Sequence, residues 1–196
     1  MGRAQQFSPR IALALCAGLA ACVPATREGP LGYVPPAAGG VALVAQDAPD
    51  RAAATRNAAA RLRAGGLNVT SVQPGSGRIS ARATDASLVD CGSMVQRAHG
   101  NSARFAATAP LAILFSDSQP GGMFRREAQV DSRAEVTVRA DGMAIAERHR
   151  VTLRQVSADG ARVLWTQTRT FTETTDARFE DGTICVSSGR VGALLR

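Results

Sequence analysis

Apolar side chains recur at every second position through Ala134, Val136, Val138 and Ala140, between Arg133, Glu135, Thr137 and Arg139. That is the period of a strand with one buried and one wet face. Asp141-Gly142 fits a tight hairpin turn after it, Val151 and Leu153 belong to a second alternating run, and Asp159-Gly160 supplies the next turn. A third strand is predicted over 162–172 with Val163, Trp165 and Phe171 on one face, and a fourth over 183–187, carrying Cys185 after Asp181-Gly182. Repeated Asp-Gly turns between alternating segments predict an antiparallel meander.

Upstream, residues 41–45 read as a short strand, and Asp47 is placed to cap a helix with Pro49 in its tolerant first turn. The helix should run to Ala64, where Gly65-Gly66 stops it. It holds six alanines between Ala52 and Ala60 and only Leu62 as a large apolar residue, a composition for close packing on a sheet. Residues 67–72 and 78–83 form two further strands joined by Gln73-Pro74-Gly75-Ser76-Gly77. The expected fold class is therefore α+β: a β-α-β-β unit, then the meander, with one helix packed on the sheet. Between residues 84 and 123 the pattern is thinner. Leu88-Val89 leads into Cys91, and residues 111–115 are apolar enough for a buried strand.

The first residues carry a different signal. Arg3 and Arg10 precede an apolar run of 11 residues, 11–21, too short for a helix that spans a bilayer, which takes about 20. It closes on Leu19-Ala20-Ala21-Cys22, which resembles the lipobox of bacterial lipoproteins. Cys16 is a poorer acceptor because the bulky Leu15 precedes it. The resemblance implies cleavage before Cys22, a diacylglycerol on its thiol, and anchoring by lipid. Val23 stands where lipoproteins retained in the inner membrane often carry Asp, so the resemblance further implies the periplasmic face of the outer membrane. The division that follows is a signal peptide over 1–21, a lipidated Cys22 with a Pro/Gly tether to residue 40, and one periplasmic domain over 41–196. The tether has four of the nine prolines and four glycines, and 18 such residues span about 23 Å if flexible.

Charge adds little. Cleavage would leave 21 basic against 16 acidic residues, and every basic residue is Arg. A nucleic-acid surface would want aromatics interleaved with that charge, and the chain has six Phe, one Tyr and one Trp, so no nucleic-acid partner is expected. Arg125 and Arg126, the group Arg148, Arg150 and Arg154, and Trp165 remain candidate binding residues, with a solvated strand face and a core tryptophan as the plain alternatives. In an oxidising compartment Cys91 and Cys185, the two cysteines left to the domain, predict a disulfide closing a 94-residue separation.

Catalytic signals are sparse, and the chain is read as a non-enzyme. His99 and His149 are its only histidines. His149 is expected on a strand surface, and His99, with an acid such as Asp90, is the one candidate for hydrolytic chemistry. Ser93 lacks a G-x-S-x-G elbow, and Gly75-Ser76-Gly77 lacks the rest of a phosphate cradle. Asp176, Glu180 and Asp181 do not match a calcium loop, and no cofactor or metal is expected. The layout is similar in outline to small lipoproteins that assist outer-membrane assembly. It implies a lipid-anchored binding or assembly accessory with an envelope protein or cell-wall partner. An envelope hydrolase acting on peptidoglycan or lipid, and a purely structural lipoprotein, are the rival readings.

Overall fold

The computed structural model describes residues 32–37, 39–40, 42–45, 50–98, 101–109, 112–115, 123–157 and 159–196. The elements are β1 (Tyr33–Val34), β2 (Leu43–Ala45), α1 (Arg51–Ala64), β3 (Asn68–Gln73), β4 (Arg78–Ala83), β5 (Val89–Asp90), β6 (Ser93–Ala98), β7 (Asn101–Ala106) and β8 (Ala112–Phe115). They continue as β9 (Met123–Arg139), β10 (Gly142–Ser157), β11 (Val163–Thr172), β12 (Ala177–Arg178), β13 (Ile184–Ser187) and α2 (Arg190–Leu195). Among the described residues the chain is mostly β-sheet with two helices and one disulfide, an α+β arrangement.

The frame is the β9–β10 hairpin, 17 and 16 residues long, turned at Ala140 and Asp141. The glycine of the expected Asp-Gly pair opens β10. At φ 151° it lets β2 approach so closely that a Cβ on Gly142 would meet the Val44 carbonyl oxygen at 2.5 Å. A seven-stranded antiparallel sheet grows from the hairpin in the order β11-β10-β9-β4-β3, with β2 on the turn end of β10 and β8 on the open end of β9. Two three-stranded sheets, β1-β6-β7 and β12-β13-β5, accompany it among the described residues.

Several expectations shift. The helix starts one turn later than predicted: Asp50, not Asp47, is the cap, its Oδ1 accepting from the Ala53 N–H at 3.0 Å. Its end is as read, since Leu67 N–H reaches the Leu62 carbonyl and Gly66, at φ 87°, makes the left-handed turn. The order strand, helix, strand, strand runs through β2, α1, β3 and β4, but β2 joins the sheet through β10 and lies apart from β3 and β4. The strand carrying Cys185 leaves the meander to pair with β5 and β12. Residues 32–37 correct the tether boundary: β1 pairs with β6, Tyr33 opposite Met94, because the Tyr33 hydroxyl finds backbone partners inside the domain. Cys22 and the signal lie outside the described residues, as does His99.

Two apolar clusters lie along one face of the hairpin. Near its turn, Ala134, Val136, Val138, Met143 and Ile145 pack with Ala58, Ala59 and Leu62 of α1, Ile79 and Ala81 of β4, and Val191 and Leu195 of α2. The alanines let α1 sit close on the sheet, as its composition predicts. Toward the open end, Val130, Val151, Leu153 and Phe171 pack with Met94, Phe179 and the disulfide.

Candidate functional site

Between the two clusters the inward face turns polar. The strand period that points Ile145 and Val151 into the core also points in Glu147 and His149, and Ser132 lies directly opposite His149 on β9. Ser132 and His149 are 0% exposed and Glu147 4%. Ser132 Oγ lies 2.9 Å from His149 Nδ1, and His149 Nε2 lies 3.0 Å from Glu147 Oε2. With the carboxylate as acceptor, Nε2 donates to it. Ser187 of β13 donates to the same Glu147 oxygen. Phe171 covers the imidazole, with ring centroids 4.9 Å apart. His149 is therefore not on a strand surface, as its arginine neighbours suggested; it shares the inward parity of Val151.

A serine, a histidine and an acid in series are the parts of a nucleophilic hydrolase. Two features argue against that use. In the hydrolase triad Nε2 faces the serine and Nδ1 the acid, and here the ring is the other way round. The seam is also closed to solvent, so no substrate carbonyl can approach Ser132 Oγ. It also lies where β10 changes outer partner, from β2 at residues 142–144 to β11 at 148–156. There the Glu147 backbone N–H, left without a strand partner, donates to Glu173 Oε2 at 2.8 Å.

A second buried polar group is Arg126, a candidate binding residue in the sequence and 0% exposed in the structure. Its Nη1 donates to the Ala107 carbonyl, and its Nη2 to Thr183 Oγ1 at 2.7 Å and Asp181 Oδ2 at 3.3 Å. Its Nε has no partner. Burial lowers its pKa from the usual arginine range, against the raising effect of Asp181. It cannot meet a ligand at the surface, because its parity on β9 is that of Ala128 and Val130. Arg125, one position along, does face outward, and is held by Glu127 at 2.8 Å. Trp165 is half-buried against the open-end cluster. A register shift between Gln155 and Val156 marks where β11 leaves regular pairing, and Val163 there is 53% exposed although Phe171, on the predicted common face, is 3%.

The disulfide is formed between Cys91 and Cys185, with Cα atoms 3.9 Å apart, below the usual 4.4–6.8 Å spread. Beside it Asp90 pairs with Val186. Tyr33 sits beside it: its hydroxyl lies 3.1 Å from the Cys91 carbonyl and 3.0 Å from that of Ile184, and accepts from the Ile184 N–H at 2.9 Å. Burial, the largest cause, raises the phenol pKa from its ordinary value, while the Ile184 hydrogen bond and Arg126 oppose the rise.

The acids considered for calcium are dispersed into other contacts. Asp176 pairs with Arg178, Glu180 with Gln167, and Asp181 with Arg126. Asp90 accepts from the Gly92 N–H, and Ser93 opens β6 opposite Val34. Among the described residues no group of three or more His, Cys, Asp or Glu is placed to hold a metal. No described helix is long and apolar enough to cross a membrane.

No family model matches the chain, and neither a curated protein nor a solved structure does.

Proposed function

We propose that the chain is a lipid-anchored lipoprotein of the outer membrane whose periplasmic domain is a non-enzymatic binding or assembly accessory. The observation that carries the reading is Leu19-Ala20-Ala21-Cys22 behind a short apolar run. A disulfide between Cys91 and Cys185 fits the oxidising compartment this address implies. The sealing of Ser132, His149 and Glu147 away from solvent supports a binding role over a hydrolytic one. In this reading, β1 begins about ten residues after the lipid, which holds the domain within about 35 Å of the bilayer.

The test is intact mass and fractionation of the protein made in a Gram-negative host. The expected mature form lacks residues 1–21 and carries lipid on Cys22, and Cys22→Ser releases it from the membrane fraction. An unprocessed chain, or a Cys22→Ser variant still membrane-bound at unchanged mass, overturns the anchor.

A further inference from the structure

The outward face of the seven-stranded sheet carries a row of three arginines on which no acidic side chain among the described residues closes. Arg82, Arg133 and Arg148 are direct cross-strand partners on β4, β9 and β10, and all three are exposed. Neighbouring strands are about 4.8 Å apart, so the three backbone positions fall within about 10 Å. Like charges directly opposite one another on a sheet are destabilising. Among the described residues no ion pair within 4.0 Å relieves any of the three. Asp131, opposite Arg150, and Glu135, opposite Ala146, flank the row diagonally without closing on it. Polar residues extend the row to both edges of the sheet, with Asn68 opposite Arg82 and Thr172 opposite Arg148. Arg150 lies beside the row, two residues along β10. No described element covers this face, since α1 and both small sheets belong to the inward side.

A row of exposed guanidiniums held in register on a sheet is a set of planar forks waiting for planar acceptors. Arginine matches carboxylate in that geometry, two N–H donors to two oxygens. The direction of the face narrows the choice of partner. The chain enters the domain through Tyr33, which packs against the open-end cluster beneath the inward side of the sheet. The arginine row lies on the opposite side, turned away from the point where an anchored chain arrives.

We propose that this open face, centred on Arg82, Arg133 and Arg148, binds the carboxylate-bearing peptide stems of the cell-wall polymer. The inference rests on the envelope reading above and names the partner class of its binding domain. The row crosses the strands, so successive carboxylates along an extended peptide meet successive arginines. Arg150 extends the contact along β10.

The experiment is co-sedimentation of the chain from residue 22 on, carrying Cys22→Ser, with three probes: purified cell-wall sacculi, sacculi with amidated carboxylates, and vesicles containing anionic phospholipid. The test variant is Arg82→Gln/Arg133→Gln/Arg148→Gln, and the control, Arg56→Gln/Arg63→Gln, removes two exposed charges from α1. The expected result is sacculus binding that weakens about tenfold in the triple variant, a sum of three exposed pairs. Amidation and raised salt should weaken it likewise, and the control should match the parent. The triple variant relieves repulsion and should melt no lower than the parent, so lost binding is not lost folding. Absence of sacculus binding, equal weakening by the control, indifference to amidation, or preferential binding to vesicles through the same arginines overturns the proposal. Because the probe protein has no lipid, these outcomes are separable from the fate of the anchor reading.

Discussion

Glu147→Leu should be among the most damaging single substitutions in the molecule, although it places an apolar side chain among apolar clusters. Glu147 Oε2 is the acceptor for both His149 Nε2 and the Ser187 hydroxyl, and both donors are 0% exposed. Removing the carboxylate leaves two buried donors without a partner, each costing about 1–3 kcal/mol, or about 2–6 kcal/mol together. That is a large fraction of the roughly 5–15 kcal/mol that holds a domain of this size. Replacing the seam side chains, by Ser132→Ala, Glu147→Leu, His149→Leu and Ser187→Ala together, removes their donors and acceptors alike, leaves only the half-buried Gly189 N–H that Ser187 Oγ accepts, and should recover most of the loss. Urea unfolding followed by circular dichroism reads both effects. At an m-value of about 1–3 kcal/mol per molar, the single variant should unfold at least about 0.7 M urea earlier than the parent. A Glu147→Leu variant within 0.5 kcal/mol of the parent, or a quadruple variant as unstable as the single one, would refute the claim that the seam is a closed, mutually satisfied network. Labelling of Ser132 by a serine-directed fluorophosphonate in the native protein would refute its burial and revive the hydrolase reading.

Cys91→Ala/Cys185→Ala should lower stability by a few kcal/mol, because a 94-residue separation is worth about 4.5 kcal/mol in the chain-entropy account. The fold should survive, since α1 and the long hairpin do not depend on the bridge; a molten spectrum in the double variant would contradict this, and non-reducing peptide mapping of the parent should show the bridged pair. Tyr33→Phe should cost about 1–3 kcal/mol by stranding the Ile184 N–H and the Cys91 carbonyl. The raised phenol pKa also fixes a sign: its stabilisation is fully present below the ordinary tyrosine value of about 10 and is lost as pH rises through the folded value. Tyr33 is the only tyrosine in the chain, so tyrosinate absorbance on alkaline titration reports it directly, and a midpoint at or below the ordinary value would sink the argument.

The elements with strong local signals were legible from residue order. Alternation marked β9 and β10, Gly65-Gly66 marked the end of α1, and cysteine count with the compartment the lipobox resemblance implies marked the bridge. What failed to show was parity within a strand that mixes signals. His149 stands between Arg148 and Arg150, so composition suggested a wet surface, yet its spacing from Val151 and Leu153 placed it inward all along. Arg126 is the same case, two positions from Ala128 and four from Val130. A strict count of parity would have found both, and hence most of the seam, without a structure. Ser187 joins only because β13 leaves the meander for β5, a long-range pairing with no local signal. Tyr33 was hidden for a similar reason. Its flanking prolines describe a tether, and only the distant carbonyls of Cys91 and Ile184 make it an anchor point. The arginine row needed the register between three strands, which no single stretch of sequence contains.

Register is also where the seam and the open face meet. A strand that slips by one residue exchanges its two faces. For β10 a slip would carry Glu147 and His149 outward, and bring Arg148 and Arg150 into the space between two apolar clusters. A buried unpaired guanidinium costs several kcal/mol, so the arginines exclude the slipped pairing while the Ser132–His149 contact selects the correct one. Val151 and Leu153 alone would do this less well, because apolar contact is non-directional and tolerates small offsets. The same alternation that seals a histidine between two cores therefore fixes Arg148 opposite Arg133, and Arg133 opposite Arg82, on the other side. If the outward row is the binding surface, its spacing is set by a network the ligand never touches. Loosening the seam should then weaken binding at the face before the protein unfolds.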